Sequence, residues 1–288
     1  MKPNATIVMA IVAVALLAGP TLADWDLFQD PYKYYQLVDP RVQQIGNGIG
    51  TPVATAVDIS DQLVADDFPC DTTGPITSVH IWGSRENPAS GEPALGGLWV
   101  GFHDNIPAAG QTPSQPGLEL WRAMIPFDFI QTRTQTGPIG HWYEPMGDPH
   151  WRQINLTATQ YNIDLEGWAR ENNEELFLQQ GTSDEPKVYW LSIEANYLGG
   201  ANPNNGFGWV SSNTDWEDDA AWLDSTNYTG TPTDSWTDIH YELYDNVNGF
   251  HPFDGQSLNL AFVIVPEPAT MALFGLGAFL LLKRRRQC

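Results

Sequence analysis

The stretch KVYWLSIEANY (Lys187–Tyr197) decides the fold, because its residues divide by parity into two unlike rows. Tyr189, Leu191, Ile193, Ala195 and Tyr197 make one row, and Trp190, Ser192 and Glu194 make the other. A period of two is the mark of a strand with one face on a core. Outward from it the pattern repeats. In PITSVHIWG (75–83), Thr77, Val79 and Ile81 oppose Ile76, Ser78, His80 and Trp82. GGLWVGFHDN puts Leu98, Val100 and Phe102 on one face, and LNLAFVIV does the same with Leu258, Leu260, Phe262 and Ile264. GLELWRAMI and HYELYD complete the set of expected strands. The intervening sequence is cut into short pieces by 26 Gly and 22 Pro. Helical periodicity is scarce, and LEGWARENNEELF (165–177) reads equally as one or two helical turns or as a loop running into a strand.

Short alternating runs without the regular helices of a βαβ pattern predict an all-β fold, an antiparallel β-sandwich of jelly-roll type. Residues 24 to about 60 read as an irregular lead-in with one strand near Val53 to Ile59. SRENPASGEPAL and NIPAAGQTPSQPG read as rim loops. The chain's two cysteines, Cys70 and Cys288, are too differently placed to pair, so a core and not a disulfide framework must hold the body.

Both ends carry address signals. Lys2, an apolar run from about Ile7 to Ala18 and TLA before Asp24 have the order of a signal peptide, residues 1–23, cut after Ala23. The body is then residues 24–265. With Lys2, Lys283, Arg284, Arg285, Arg286 and Glu267 set aside, 8 basic and 34 acidic residues remain, a balance of −26 against −22 for the whole chain. Such a charge repels nucleic acid and anionic lipid. With 12 Trp, 12 Phe and 10 Tyr the chain nevertheless has ample aromatic area for a core, unlike a disordered acidic chain.

At the other end, VPEPATMALFGLGAFLLLKRRRQC combines a Pro-Glu-Pro triplet, a 14-residue apolar run over 269–282 and a basic block. As a helix the run spans roughly 21 Å, short of the ~30 Å hydrocarbon core. A transient C-terminal membrane helix is expected here, and a permanent anchor is the competing reading. The order of elements resembles the PEP-CTERM sorting signal, carried here by Val265, Pro266, Glu267 and Pro268, the run to Leu282, and Lys283, Arg284, Arg285 and Arg286. That resemblance implies an exosortase as processing partner, cleavage near the motif, transient contact with the inner membrane, and delivery to the cell surface or an exopolysaccharide matrix. ADDFPCDTTGPITSVHIWGS, VYWLSIEA, FGWVSS, DDAAW and LAFVI resemble, in addition, a domain of unknown function that recurs in PEP-CTERM proteins of planctomycetes and similar bacteria. It implies no activity.

Chemistry is harder to find. Glu119, Glu144, Asp164, Glu194 and Glu242 are candidate glycosidase carboxyls, but an acidic chain supplies such pairs by chance. No G-x-S-x-G elbow occurs, Cys70 has Asp71 beside it, and His80, His103, His141, His150, His240 and His251 form no zinc motif. NTDWEDDAAW gathers Asp215, Glu217, Asp218 and Asp219, hard oxygen ligands suited to a structural Ca²⁺. DNVNGFHPFDG echoes part of an EF-hand loop. Trp142, Tyr143, Trp151, Trp216 and Trp222 stand in polar contexts and are the expected glycan-stacking residues. The expectation is a non-enzymatic surface or matrix protein without a catalytic site. A calcium-assisted glycan-binding module and a secreted glycan-degrading enzyme are the alternatives.

Overall fold

The computed structural model describes residues 32–43, 51–85, 95–147, 151–198, 206–214, 216–241 and 256–266. The expected signal peptide, the C-terminal apolar helix and the basic block lie outside the described residues. In chain order the strands are β1 (Tyr34–Gln36), β2 (Val42–Gln43), β3 (Thr51–Pro52), β4 (Thr55–Asp58), β5 (Gln62–Cys70), β6 (Gly74–Arg85), β7 (Leu95–Ile106), β8 (Gln115–Pro126) and β9 (Ile130–Tyr143). They continue with β10 (Trp151–Asp164), β11 (Leu178–Gln179), β12 (Lys187–Tyr197), β13 (Phe207–Ser212), β14 (Ala221–Asp224), β15 (Thr237–Asp238), β16 (Asn259–Leu260) and β17 (Phe262–Pro266). One helix, α1 (Leu165–Asn172), is capped by the Asp164 carboxylate on the Gly167 amide and ends at Asn173 in the left-handed conformation.

The strands form two large sheets. One runs β1-β17-β6-β10-β9-β4-β13-β16, with β11 added to β6, and the other runs β15-β14-β5-β12-β7-β8. The apolar rows read from the sequence meet between them. Tyr189, Leu191 and Ile193 of β12, Leu98, Val100 and Phe102 of β7, and Val79 and Ile81 of β6 share one cluster with Leu258, Leu260, Phe262 and Ile264. Phe102 and Phe177 stack at 4.7 Å near its centre.

The first sheet does something the alternation did not announce. Its pairings return on themselves, β6 to β10, β10 to β9, β9 to β4, β4 to β13 and β13 back to β6. The β4–β9 pairing is parallel. Each strand of this circuit gives a side chain to a second cluster: Trp82, Ala158, Ile139 and Trp142, Ala56, and Val210. Closing a sheet over so few strands leaves little width, so a large ring must be opposed by very small residues. Trp142 is that ring and is fully buried. A Cβ added at Gly208 would stand 2.8 Å from the Ala56 Cβ and 3.0 Å from the Trp142 ring.

The hairpin of β9 and β10 is therefore a structural center that the sequence reading treated as loop. Its inner face carries Gln160 and Asn162, both buried, and the Asn162 Oδ1 lies 2.6 Å from the His80 Nδ1 and accepts from Gln160 Nε2 at 2.8 Å. Polar residues that satisfy one another inside hide the alternation. Replacing Trp142 by Ala should remove about 3–5 kcal/mol of stability, as emptied aromatic sites do. Urea unfolding followed by fluorescence will measure it.

Candidate functional site

The densest unusual chemistry lies at mid-length of β5. Asp66 and Asp67 are adjacent, on opposite faces of the strand, and both have no exposed surface. Asp66 is satisfied by backbone: its Oδ1 accepts from the Asp67 amide at 2.9 Å and its Oδ2 from the Leu260 amide at 2.6 Å. The Asn259 amide, turned with its nitrogen toward them, donates to Asp66 Oδ1 at 3.3 Å and to the Asp218 carbonyl at 3.0 Å. Asp67 differs. Neither of its carboxylate oxygens has a hydrogen-bond partner of good geometry among the described residues.

β14 pairs with β5 over residues 62–65, so the residues just before β14 run past Asp66 and Asp67. These are Glu217, Asp218 and Asp219, of which Glu217 is exposed and has φ 29°. Asp218 Oδ2 accepts from the Ser114 amide at 3.0 Å, and Asp219 Oδ2 lies 2.7 Å from His240 Nδ1. Asp238 of β15 joins them, its carboxyl pushed above the usual range by burial and by Asp219 and Asp218, against the pull of His240. Burial raises Asp66 well above an ordinary carboxyl, and Asp219 adds to the effect. Asp67 is pushed up to about 9, by burial first and then by Asp66, Glu217 and Asp218, with the Asp218 amide acting the other way. The Tyr34 phenol of β1 is raised by burial and by the same two aspartates, and it adjoins the fully buried Gln36. An unpaired carboxylate in such a place takes up a proton or a cation.

A second cluster covers the outer face of the same sheet, farther along it at β12, β7 and β8. Arg122 of β8 donates to Glu194 of β12 at 2.6 Å, stands 4.0 Å from Glu119, and holds its guanidinium 4.7 Å from the centres of the Trp99 and Tyr228 rings. The Tyr228 hydroxyl donates to Glu119. Beside it, His103 lies 2.8 Å from the Ser192 hydroxyl, and its burial lowers its pKa to about 4. Glu119 and Glu194 are thus committed to structure. So are Glu144, which accepts from Arg152 at 2.9 Å, and Asp164, which caps α1. Glu242 lies outside the described residues, as do Asp215, Asp245, Asp254, His150 and His251. His80 and His141 are buried in the first sheet, and Cys70, at the end of β5, donates its thiol to the Thr72 carbonyl at 3.0 Å.

The aromatic expectation is corrected. Trp142, Tyr143 and Trp151 are not loop residues; they lie in β9 and β10 and are buried, Trp142 inside the closed circuit and the other two in the main core. They present no face to a sugar. Trp222 sits in β14 and packs against the main core, and Trp216 is half-buried with its ring 6.2 Å from that of Tyr34. Of the acidic set, Glu217, Asp218 and Asp219 follow one another ahead of β14, and no three acidic, histidine or cysteine side chains among the described residues stand close enough to hold a metal. The sequence does not single out their buried counterparts Asp66 and Asp67, because two adjacent acids in ADDF put one carboxyl on each face of β5 and show no apolar row. The structure also has an open groove of roughly 760 Å³ beside β7, β8 and β12, lined by Asp104, Asn105, Leu120, Trp121, Phe177 and Tyr189.

A family described as a domain of unknown function (DUF7901) matches residues 32–265. The chain belongs to that family. A second match, described as the PEP-CTERM protein-sorting motif, covers residues 265–287. No curated protein and no solved structure matches. The sorting motif makes this DUF7901 chain an exosortase substrate exported to the cell surface. Pro266 closes β17; Glu267 and Pro268 lie outside the described residues. No helix among the described residues is long and apolar enough to cross a membrane.

Two outcomes follow for the clusters. Between pH 4 and 9 the folded chain keeps a proton on Asp67 that the unfolded chain has lost, with Asp66, Tyr34, Glu217 and Asp218 as the facing charged or titratable groups. Stability in buffer free of multivalent ions is therefore greatest at the acid side of this window and is lost as pH rises through about 9. Urea midpoints at a series of pH values will show the slope, and Asp67→Asn should make it shallower, with Asp66 keeping its own share. Arg122→Ala strands Glu119 and Glu194 together and should cost about 1–3 kcal/mol, a buried-pair loss discounted for partial exposure; thermal melts of the variant will check it.

Proposed function

We propose that this DUF7901 chain is a non-enzymatic component of the cell surface or extracellular matrix that associates with exopolysaccharide. The observation that carries the reading is the sorting motif, which begins where β17 ends. In this reading residues 1–23 are a cleaved signal peptide, residues 24–265 are the secreted body, and residues 266–288 serve as the handle for the exosortase. The apolar run enters the inner membrane only until the cut.

Jelly-roll topology for the body is supported by strand order. Taken in chain order, β1, β5, β6, β7, β8, β10, β12 and β17 divide into β1-β17-β6-β10 and β5-β12-β7-β8. These are the two four-stranded sheets that a pair of interlocked Greek keys produces. A structural role is supported by the carboxyls themselves. Glycoside hydrolysis needs two of them facing across a cleft, whereas Glu119, Glu194, Glu144 and Asp164 are each held by an arginine, a tyrosine or a helix terminus. The groove along β7 and β8, with aromatic, amide and carboxylate groups together, has the mixed lining that sugars favour.

Protein collected from the surface or medium of the native cells is expected to have an intact mass that starts after Ala23 and ends near Glu267. A mass extending to Cys288 overturns the processing reading. The matrix half is tested by co-sedimentation of the purified body with exopolysaccharide from the same cells. Failure to co-sediment at any salt concentration removes that half alone.

A further inference from the structure

Asp67 poses a problem that the surrounding protein does not solve. It has no exposed surface, its two oxygens lack a hydrogen-bond partner of good geometry among the described residues, where only the Asp218 amide approaches, and its strand neighbour Asp66 has spent both oxygens on backbone amides. A buried carboxylate in this position is costly unless something neutralises it. The segment laid over it is acidic too: Glu217 at the solvent side, then Asp218 and Asp219. His240 is engaged with Asp219. Among the described residues the interactions that act on Asp67 are acidic ones that raise its carboxyl, and the Asp218 amide that acts the other way.

We propose that Asp67, together with the Glu217–Asp218 segment closing over it, binds a divalent cation of the calcium type. The donor set selects the class of ion. Carboxylate oxygens on an irregular segment suit Ca²⁺, which accepts six to eight oxygens in flexible geometry, better than Mg²⁺, which demands a small rigid octahedron. Zinc would want thiolate or imidazole, and the nearby thiol of Cys70 is turned to the Thr72 carbonyl. Among the described residues no three acidic, histidine or cysteine side chains yet stand close enough to hold an ion. Binding therefore draws the Glu217 and Asp218 side chains inward, so that their carboxylates share the ion with the Asp67 oxygens. That movement has a structural consequence. Asp218 is hydrogen-bonded to the Ser114 amide at the start of β8, and the Ala220 amide donates to the Leu258 carbonyl ahead of β16. An ion on Asp67 thus fastens the segment leading into β14, which these bonds tie to both sheets. The site does not depend on the matrix reading, which rests on the sorting motif.

The test is calorimetry of CaCl2 added to the purified protein after EGTA treatment at pH 7.5, with MgCl2 as a parallel arm, alongside thermal melts. Binding of calcium in preference to magnesium is expected, with a rise in Tm of roughly 5 to 10 °C at a hundredfold excess over Kd. Asp67→Asn should fold and lose the calcium-dependent rise. Glu217→Gln, on the exposed side, should weaken calcium at least tenfold without disturbing the melt in EGTA. Terbium(III) gives a local readout: emission sensitised through Trp216 should fall in Trp216→Phe while calcium affinity holds. No heat and no Tm change with calcium overturn the proposal and leave a proton as the neutralising group. Calcium binding that persists unchanged in Asp67→Asn overturns it as well. Should that variant fail to fold, unchanged affinity in Glu217→Gln does the same.

Discussion

Everything in this fold is arranged around the fact that β6 has both faces and both edges covered. One edge pairs with β10, and the other is shared, first by β17 along residues 76–81 and then by β13 along residues 83–85. Backbone groups in the middle of a protein must be paired, and a twelve-residue strand is long enough to need two partners in succession. The split forces the first sheet to bend back on itself. Val79 and Ile81 then face the main core, while Trp82 faces the interior of the closed circuit. Gly83, at the crossover, lies where an added Cβ would come within 2.6 Å of the Phe207 ring and 3.1 Å of the Tyr161 ring. No larger residue fits where three strands converge.

The legibility of the sequence follows from which faces are uniform. β12, β7, β6 and β17 each present an apolar row to the main core, and those rows were readable residue by residue. β4 was legible as the one strand in the lead-in, though β1, which pairs with β17 from the same segment, was not. β9 and β10 were lost, and with them the positions of Trp142, Tyr143 and Trp151. Their Thr- and Gln-rich sequences look like loop because one face is lined by polar groups that bond to one another, such as Gln160, Asn162 and His80. Long-range pairing, not local alternation, makes them strands. The same limit hid the carboxyl pair: the cluster of Glu217, Asp218 and Asp219 is local in sequence, but its buried half comes from β5, about 150 residues earlier.

Charge is distributed with the same logic. A chain with 35 acidic and 13 basic residues cannot pair its carboxylates one for one, and the few arginines are used where acids meet an apolar surface. Arg122 serves two glutamates and two aromatic rings at once, and Arg152 ties Glu144 across the β9–β10 hairpin. A guanidinium is suited to this because it is planar, always charged and able to stack while it donates. Where no arginine is supplied, as at Asp67, a proton or a bound ion must do the work.

The position of β17 also constrains what happens at the C-terminus. It lies between β1 and β6, its residues Phe262 and Ile264 fill the main core and Val263 and Val265 the second cluster. Val265 is at once the last residue matched by the domain and the first matched by the sorting motif. Loss of Phe262 to Val265 would strip both cores of part of their packing and leave β1 without its partner, whereas a cut beyond Pro266 removes no strand residue among the described ones. The last paired residue among the described ones, Pro266, therefore already belongs to the sorting motif, so domain and motif meet with no linker between them.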